Sequence, residues 1–166
     1  MQIGTFLIGV KVHIMKVFLS SDDFYNIESK YRVLVTGVFD LFHYGHVNLF
    51  RRVKKYNNFL VVGVSTDEDT TIHKRKPIFS YRERCDLVSN CVYTDEVIMT
   101  PHIITKEYMD EHKVDFVVCG KEDSMRGCFE YPLNNGRLVE LDRTPGISTT
   151  KLLSEVSNYA SVDNRW

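Results

Sequence analysis

The chain has 166 residues, 43% of them hydrophobic and 26% charged, which suits one core in a single-domain protein. Its formal net charge of −1 excludes the global basic field that nucleic-acid binders use, so any anion site has to be built locally. Cys85, Cys91, Cys119 and Cys128 show neither C-x-x-C spacing nor a His pair to complete a zinc pattern, and scattered reduced thiols fit the cytoplasm better than a disulfide framework.

The opening run MQIGTFLIGVKVHIMKVFL is apolar. Lys11, His13 and Lys16 interrupt it well short of the roughly 20 apolar residues of a spanning helix, and it lacks a small-residue cleavage site. It reads as an extra strand or packing arm, with Met15 as an alternative start. Residues 20–30 are polar and acidic, a connector, so residues 1–30 are expected to form an N-terminal extension. Residues 32–36 are a β-branched run that turns at Gly37. Residues 44–56 place Val47, Leu49, Phe50 and Val53 on one side and basic residues on the other, which predicts an amphipathic helix. Residues 59–64 predict a buried strand, and residues 66–77 a polar, basic loop. Ser80 followed by Glu83 is a capping-box start for a helix over 80–90. Then come a strand at 96–99, a helix at 105–112, a strand at 114–119, a long loop at 120–135, a strand at 137–141 and a last helix at 148–159. Alternating strands and helices predict an α/β, Rossmann-like domain over residues 31–160, with a short tail at 161–166. The sheet is expected to be mostly parallel, with helices on both faces. Ligands of such sheets bind beyond the carboxyl ends of the strands, so chemistry is expected just after strands.

Three clusters fall there. After the first strand comes GVFDLFHYGH, residues 37–46. His43 and His46 stand three apart at a helix start, where free N–H groups already favour phosphate. Gly37 and Gly45 remove side chains where the backbone must approach a ligand. Two imidazoles at this spacing after a strand form an anion cradle without permanent charge, where a lone His would read as a surface residue. The second cluster is HKRKP, residues 73–77, a cationic loop able to clamp a triphosphate; alone it would pass for a solvated loop. The third is RTPGISTT, residues 143–150. There Arg143 can fork two phosphate oxygens, and Ser148, Thr149 and Thr150 start a helix; by itself it would be an ordinary cap. No GxxxxGK phosphate loop and no covalent nucleophile arrangement is evident. The economical chemistry is in-line attack by a substrate phosphate on an α-phosphate, with the protein supplying position and charge stabilisation.

GVFDLFHYGH and RTPGISTT resemble the two signatures of the cytidylyltransferase family, which includes the phosphocholine, phosphoethanolamine and glycerol-3-phosphate enzymes. The similarity runs over about residues 31–159 and implies a nucleotidylyltransferase fold with a catalytic domain over 31–160. The form RTPGIST looks unlike the ISST form of related adenylyltransferases, which implies CTP rather than ATP. By this resemblance His43, His46, Lys74 and Arg143 are catalytic. Gly37, Val38, Phe39, Gly45, Glu122, Thr144, Gly146, Ile147, Ser148 and Thr149 bind CTP, and Asp40, Lys76, His102, Lys121 and Phe129 contact the acceptor. Family members need Mg²⁺ with CTP and form dimers through the match to YTDEV, residues 93–97. Three departures stand out. Val92 replaces a basic residue. Gly120-Lys121-Glu122-Asp123 replaces Gly-Asp-Asp, with Glu122 still able to accept from a cytosine amino group. His102 and Phe129 occupy the places of a cage Trp and Tyr, leaving the choline cage incomplete. HYGH and HKRKPIF resemble the phosphoethanolamine branch most, so phosphoethanolamine or phosphocholine is the expected acceptor, with glycerol-3-phosphate second. A non-catalytic nucleotide-binding module is the rival reading, and it has no need for all four catalytic groups. Without a long amphipathic stretch, stable membrane insertion is not expected.

Overall fold

The computed structural model describes residues 31–55, 58–121 and 126–162, without the side chains of residues 126, 161 and 162. The expected N-terminal arm, the connector, the alternative start and the tail beyond 162 lie outside the described residues, as does Glu122.

The elements run in chain order as β1 (Arg32–Gly37), α1 (Tyr44–Lys54), β2 (Phe59–Ser65), α2 (Asp67–His73), α3 (Tyr81–Ser89), β3 (Glu96–Thr100), α4 (Lys106–Glu111), β4 (Phe116–Gly120), a 3₁₀ turn (Arg126–Phe129), α5 (Glu130–Asn134), β5 (Leu138–Leu141) and α6 (Thr149–Val162). The five strands form one sheet in the order β3-β2-β1-β4-β5, and every pairing is parallel. Alternate residues of β1 feed two cores, as the pleat requires. Val33 and Val35 join Phe50 and Val53 of α1 and Val88 of α3 on one face; Leu34 joins Met109 of α4 and Phe129 on the other. The apolar runs of β1, β2 and β4 are thereby explained: both faces are covered. The strand order reverses beside β1, so the carboxyl ends of β1 and β4 diverge and leave a crevice at this switch point.

Two expectations are corrected. Residues 66–77 are not all loop, since α2 occupies Asp67–His73. Thr66 caps it by accepting from the Asp69 N–H, and three acidic residues in the first turn complement the positive helix end. Thr70, Thr71 and Ile72 are β-branched and weaken the helical pattern, although cap and charge favour it. Residues 120–135 likewise contain the 3₁₀ turn and α5. Pro132 is the third residue of α5, where an N–H would have no partner inside the helix, so it does not break it. The capping box at Ser80 and Glu83 is present as expected.

Candidate active site

The turn from β1 into α1 is unusual. Phe39 and Leu41 hold φ of 55° and 49°, left-handed values that ordinary residues adopt rarely. This brings the Phe39 ring back over the strand end, where a Cβ on Gly37 would stand 2.9 Å from it. His43 caps α1. Its Nδ1 accepts the Gly45 N–H at 3.0 Å, and the Nδ1 of His46 accepts the His43 N–H at 3.3 Å. Main-chain donors thus occupy both Nδ1 atoms, which assigns the ring proton of each neutral imidazole to Nε2. The two rings stack at 3.9 Å between centroids, and Phe39 and Phe42 enclose His46 from its other sides. Burial first, and then the charge of His43, push the His46 pKa down to about 3, against a smaller pull from Asp40. Burial also lowers that of His43, offset in part by a backbone hydrogen bond. Near neutral pH the pair is therefore an uncharged double donor.

Asp40 is 4% exposed and lines the cleft, and both of its carboxylate oxygens already accept hydrogen bonds. It accepts from Ile78 N–H, Phe79 N–H and the Arg75 guanidinium, at 3.0–3.1 Å. Burial alone would raise its pKa, but these three donors outweigh it and hold the carboxyl below its ordinary value. Its backbone carbonyl accepts the Thr149 hydroxyl at 3.0 Å, which ties down the start of α6. Ser148 caps that helix by accepting the Lys151 N–H. Arg143 lies across the end of β4, where a Cβ on Gly120 would come within 3.3 Å of its Nε.

These parts converge on one cleft of about 470 Å³ at the switch point. Gly37, Val38, Phe39, Asp40, His43, His46, Lys74, Arg143, Ile147, Ser148 and Thr149 all line it, so the three sequence clusters meet. A side chamber of about 70 Å³ shares Gly37, Val38 and Lys74 with the cleft and is closed by His102 and Phe129. Gly45 packs beneath the His43 ring rather than in the wall, with its virtual Cβ 2.8 Å from His43 Cε1. Thr144 accepts from Asn48, and Lys121 pairs with Asp142 at 3.0 Å. Thr144, Lys121, Gly146 and the exposed Lys76 are not among the cleft walls.

Two residues given no role of their own in the sequence analysis organise the site. Arg75, rather than Lys76, lines the cleft. Arg84 is fully buried and donates to Val38 O at 2.5 Å, Phe79 O at 3.2 Å and Asp67 at 2.7 Å. Its signal in the sequence was a cation on the inner face of a helix beside Val88, where charge is rare unless paired.

The five-stranded parallel sheet, with neutral donors, a helix N-terminus and flanking cations at its switch point, defines an α/β domain of the nucleotidyltransferase-like fold. The chain belongs to the cytidylyltransferase-like family, whose model matches residues 34–155. It is 37% identical over 130 residues to mouse ethanolamine-phosphate cytidylyltransferase, covering 75% of this chain and 32% of that one. It is 36% identical over 127 residues to Bacillus subtilis glycerol-3-phosphate cytidylyltransferase, covering 76% of this chain and 97% of that one. The chain spans about a third of the length of the ethanolamine-phosphate relatives it matches. A crystal structure of the lipopolysaccharide core biosynthesis protein from Thermoplasma volcanium superposes with a TM-score of 0.60 at 26% identity, covering 70% of this chain and 99% of that one.

Proposed function

We propose that the chain transfers CMP from CTP to a phosphorylated small alcohol and releases pyrophosphate. The observation that carries this reading is the stacked, neutral His43–His46 pair facing Lys74, Arg143 and the start of α6 across one cleft. An oxygen of the acceptor phosphate attacks the α-phosphorus of CTP. The new P–O bond forms as the bond to the β-phosphate bridge breaks, and pyrophosphate leaves. The Nε2–H groups of His43 and His46 donate to the phosphate oxygens that gain charge, and Lys74 and Arg143 neutralise the departing pyrophosphate. Burial disfavours the protonated form of both imidazoles, of His46 most, which suits them to donating hydrogen bonds. A binding-only module would not need all four groups, and His46→Ala is expected to abolish turnover.

Among the described residues Asp40 is the only carboxylate in the cleft wall, and its oxygens are engaged. Mg²⁺ is therefore expected to enter on the triphosphate, keeping waters and phosphate oxygens as ligands and screening the phosphate charge. CTP rather than ATP is expected, and thermal stabilisation by each nucleotide tests that choice.

The side chamber favours phosphoethanolamine as acceptor. Among the described residues Phe129 is the one benzene ring in its walls, so a trimethylammonium would lack the aromatic cage it prefers, which a primary ammonium does not need. Glycerol-3-phosphate is the second reading, favoured by the match along 97% of the Bacillus subtilis enzyme. A homodimer in the cytoplasm completes the proposal. It is supported by Val92, an apolar side chain 88% exposed beside the YTDEV segment, and by four free cysteines. Among the described residues no helix is long and apolar enough to cross a membrane. The test is pyrophosphate release from CTP and Mg²⁺ with phosphoethanolamine, phosphocholine or glycerol-3-phosphate. Release with phosphoethanolamine foremost is expected, and silence with all three despite CTP binding would refute transfer to these acceptors.

A further inference from the structure

Asp69, His73 and His102 meet at the wall of the side chamber, and neither the His43–His46 pair nor the cations Lys74 and Arg143 engage them. Each offers one ligand atom, and the three atoms lie within 4.8 Å of one another. His73 Nε2 stands 3.6 Å from Asp69 Oδ1, and the two imidazole rings lie parallel with centroids 3.5 Å apart. We propose that these three side chains form a binding site for a Zn²⁺-class transition-metal ion, which clamps the last turn of α2 to the loop after β3.

The chemistry follows from the donor set. Two imidazoles and one carboxylate suit zinc or cobalt and not magnesium, which prefers oxygen ligands. Such an ion sits about 2.0–2.2 Å from each ligand, so ligand atoms roughly 3.4 Å apart close a tetrahedron. The His73–Asp69 pair is already near that spacing. The stacked rings direct their lone pairs along parallel planes, so the exposed His73 turns out of the stack to bring its nitrogen and that of His102 onto one ion. The two residues on α2 stand four apart, so the helix itself sets their approach. With three protein ligands a fourth position remains, for water, a small molecule from the chamber or Cys128, whose Sγ lies 3.0 Å from His102 Nε2. The site spans separate elements: α2 supplies Asp69 and His73, and the segment after β3 supplies His102. An ion there would also hold the residue after His73, which is Lys74, in place.

Cobalt(II) is the probe, because its visible absorption reports coordination geometry without any turnover. Titration of the full chain with Co²⁺ is expected to give intense tetrahedral bands that saturate at a single equivalent, disappear on adding Zn²⁺, and accompany a higher melting midpoint. Asp69→Asn and His73→Gln are each expected to weaken binding at least about tenfold. Asp69 has His73 as its side-chain partner and His73 is exposed, so both variants should fold, which circular dichroism checks. Absence of these bands in the wild type, or identical titrations in both variants, would overturn the site. So would a thiolate charge-transfer band that survives both substitutions, which would place the ion on the cysteines.

Discussion

Replacing Arg84 with methionine isolates what the buried cation does. Methionine keeps most of the volume and removes all donors. Arg84 satisfies Val38 O in the β1–α1 turn, Phe79 O before α3, and the Asp67 carboxylate at the start of α2. In the variant the two carbonyls lose their side-chain donor, at about 1–3 kcal/mol each when left unsatisfied. Asp67 is half in solvent and adds little. The sum is about 2–6 kcal/mol, a large share of the roughly 5–15 kcal/mol by which such domains are stable. At about 3 °C per kcal/mol for a chain of this size, the melting midpoint should fall by roughly 6–18 °C. Urea titration with fluorescence or circular dichroism measures the loss directly. Val38 lines the cleft, so nucleotide affinity should fall in the folded variant as well. A loss below about 1 kcal/mol would refute the view that this cation holds the three segments together.

Lowering the pH tests His46. Its folded pKa of about 3 lies below the ordinary 6.5, so between those values the unfolded chain takes a proton that the native pocket refuses. Stability is then fully present above 6.5 and declines by up to roughly 1 kcal/mol per pH unit below it. Urea titrations at neutral and mildly acidic pH should diverge for the wild type and much less for His46→Gln; equal divergence would count against the buried, neutral imidazole. Gly45→Ala separates folding from binding. Alanine favours the helix by nearly 1 kcal/mol, but its Cβ would lie 2.8 Å from His43 Cε1 and 3.2 Å from Ile147 Cγ2. Stability is expected to hold while CTP affinity, measured by calorimetry, falls at least about tenfold; unchanged affinity would show that the His43 ring position does not matter.

The sheet and its helices could be read from the chain because periodicity, caps and turns agreed. Ser80 with Glu83, and the apolar stripe from Val47 to Val53, are local signals that tertiary contacts did not overrule. The two missed helices are short and carry mixed signals, β-branched residues in α2 and a proline in α5. The convergence of His43, Lys74 and Arg143 followed from placing each motif after a parallel strand. Arg75 and Arg84 were harder, because their roles depend on Asp40, Val38 and Asp67, residues 17 to 46 positions away. Sequence spacing carries no information about such pairs. The Asp69–His73–His102 cluster was hidden for the same reason, with His102 on a different element from its two partners.

Asp40 receives one wall of the cleft through its carboxylate and the other through its carbonyl. The two walls are therefore not interchangeable parts. Grafting residues 67–79 from a relative, in an attempt to alter acceptor choice, would also reposition the start of α6, unless the graft carries an arginine at 75 and free amides at 78 and 79. Segment exchange in this fold is constrained less by the new segment's own fold than by whether it still fits this single aspartate.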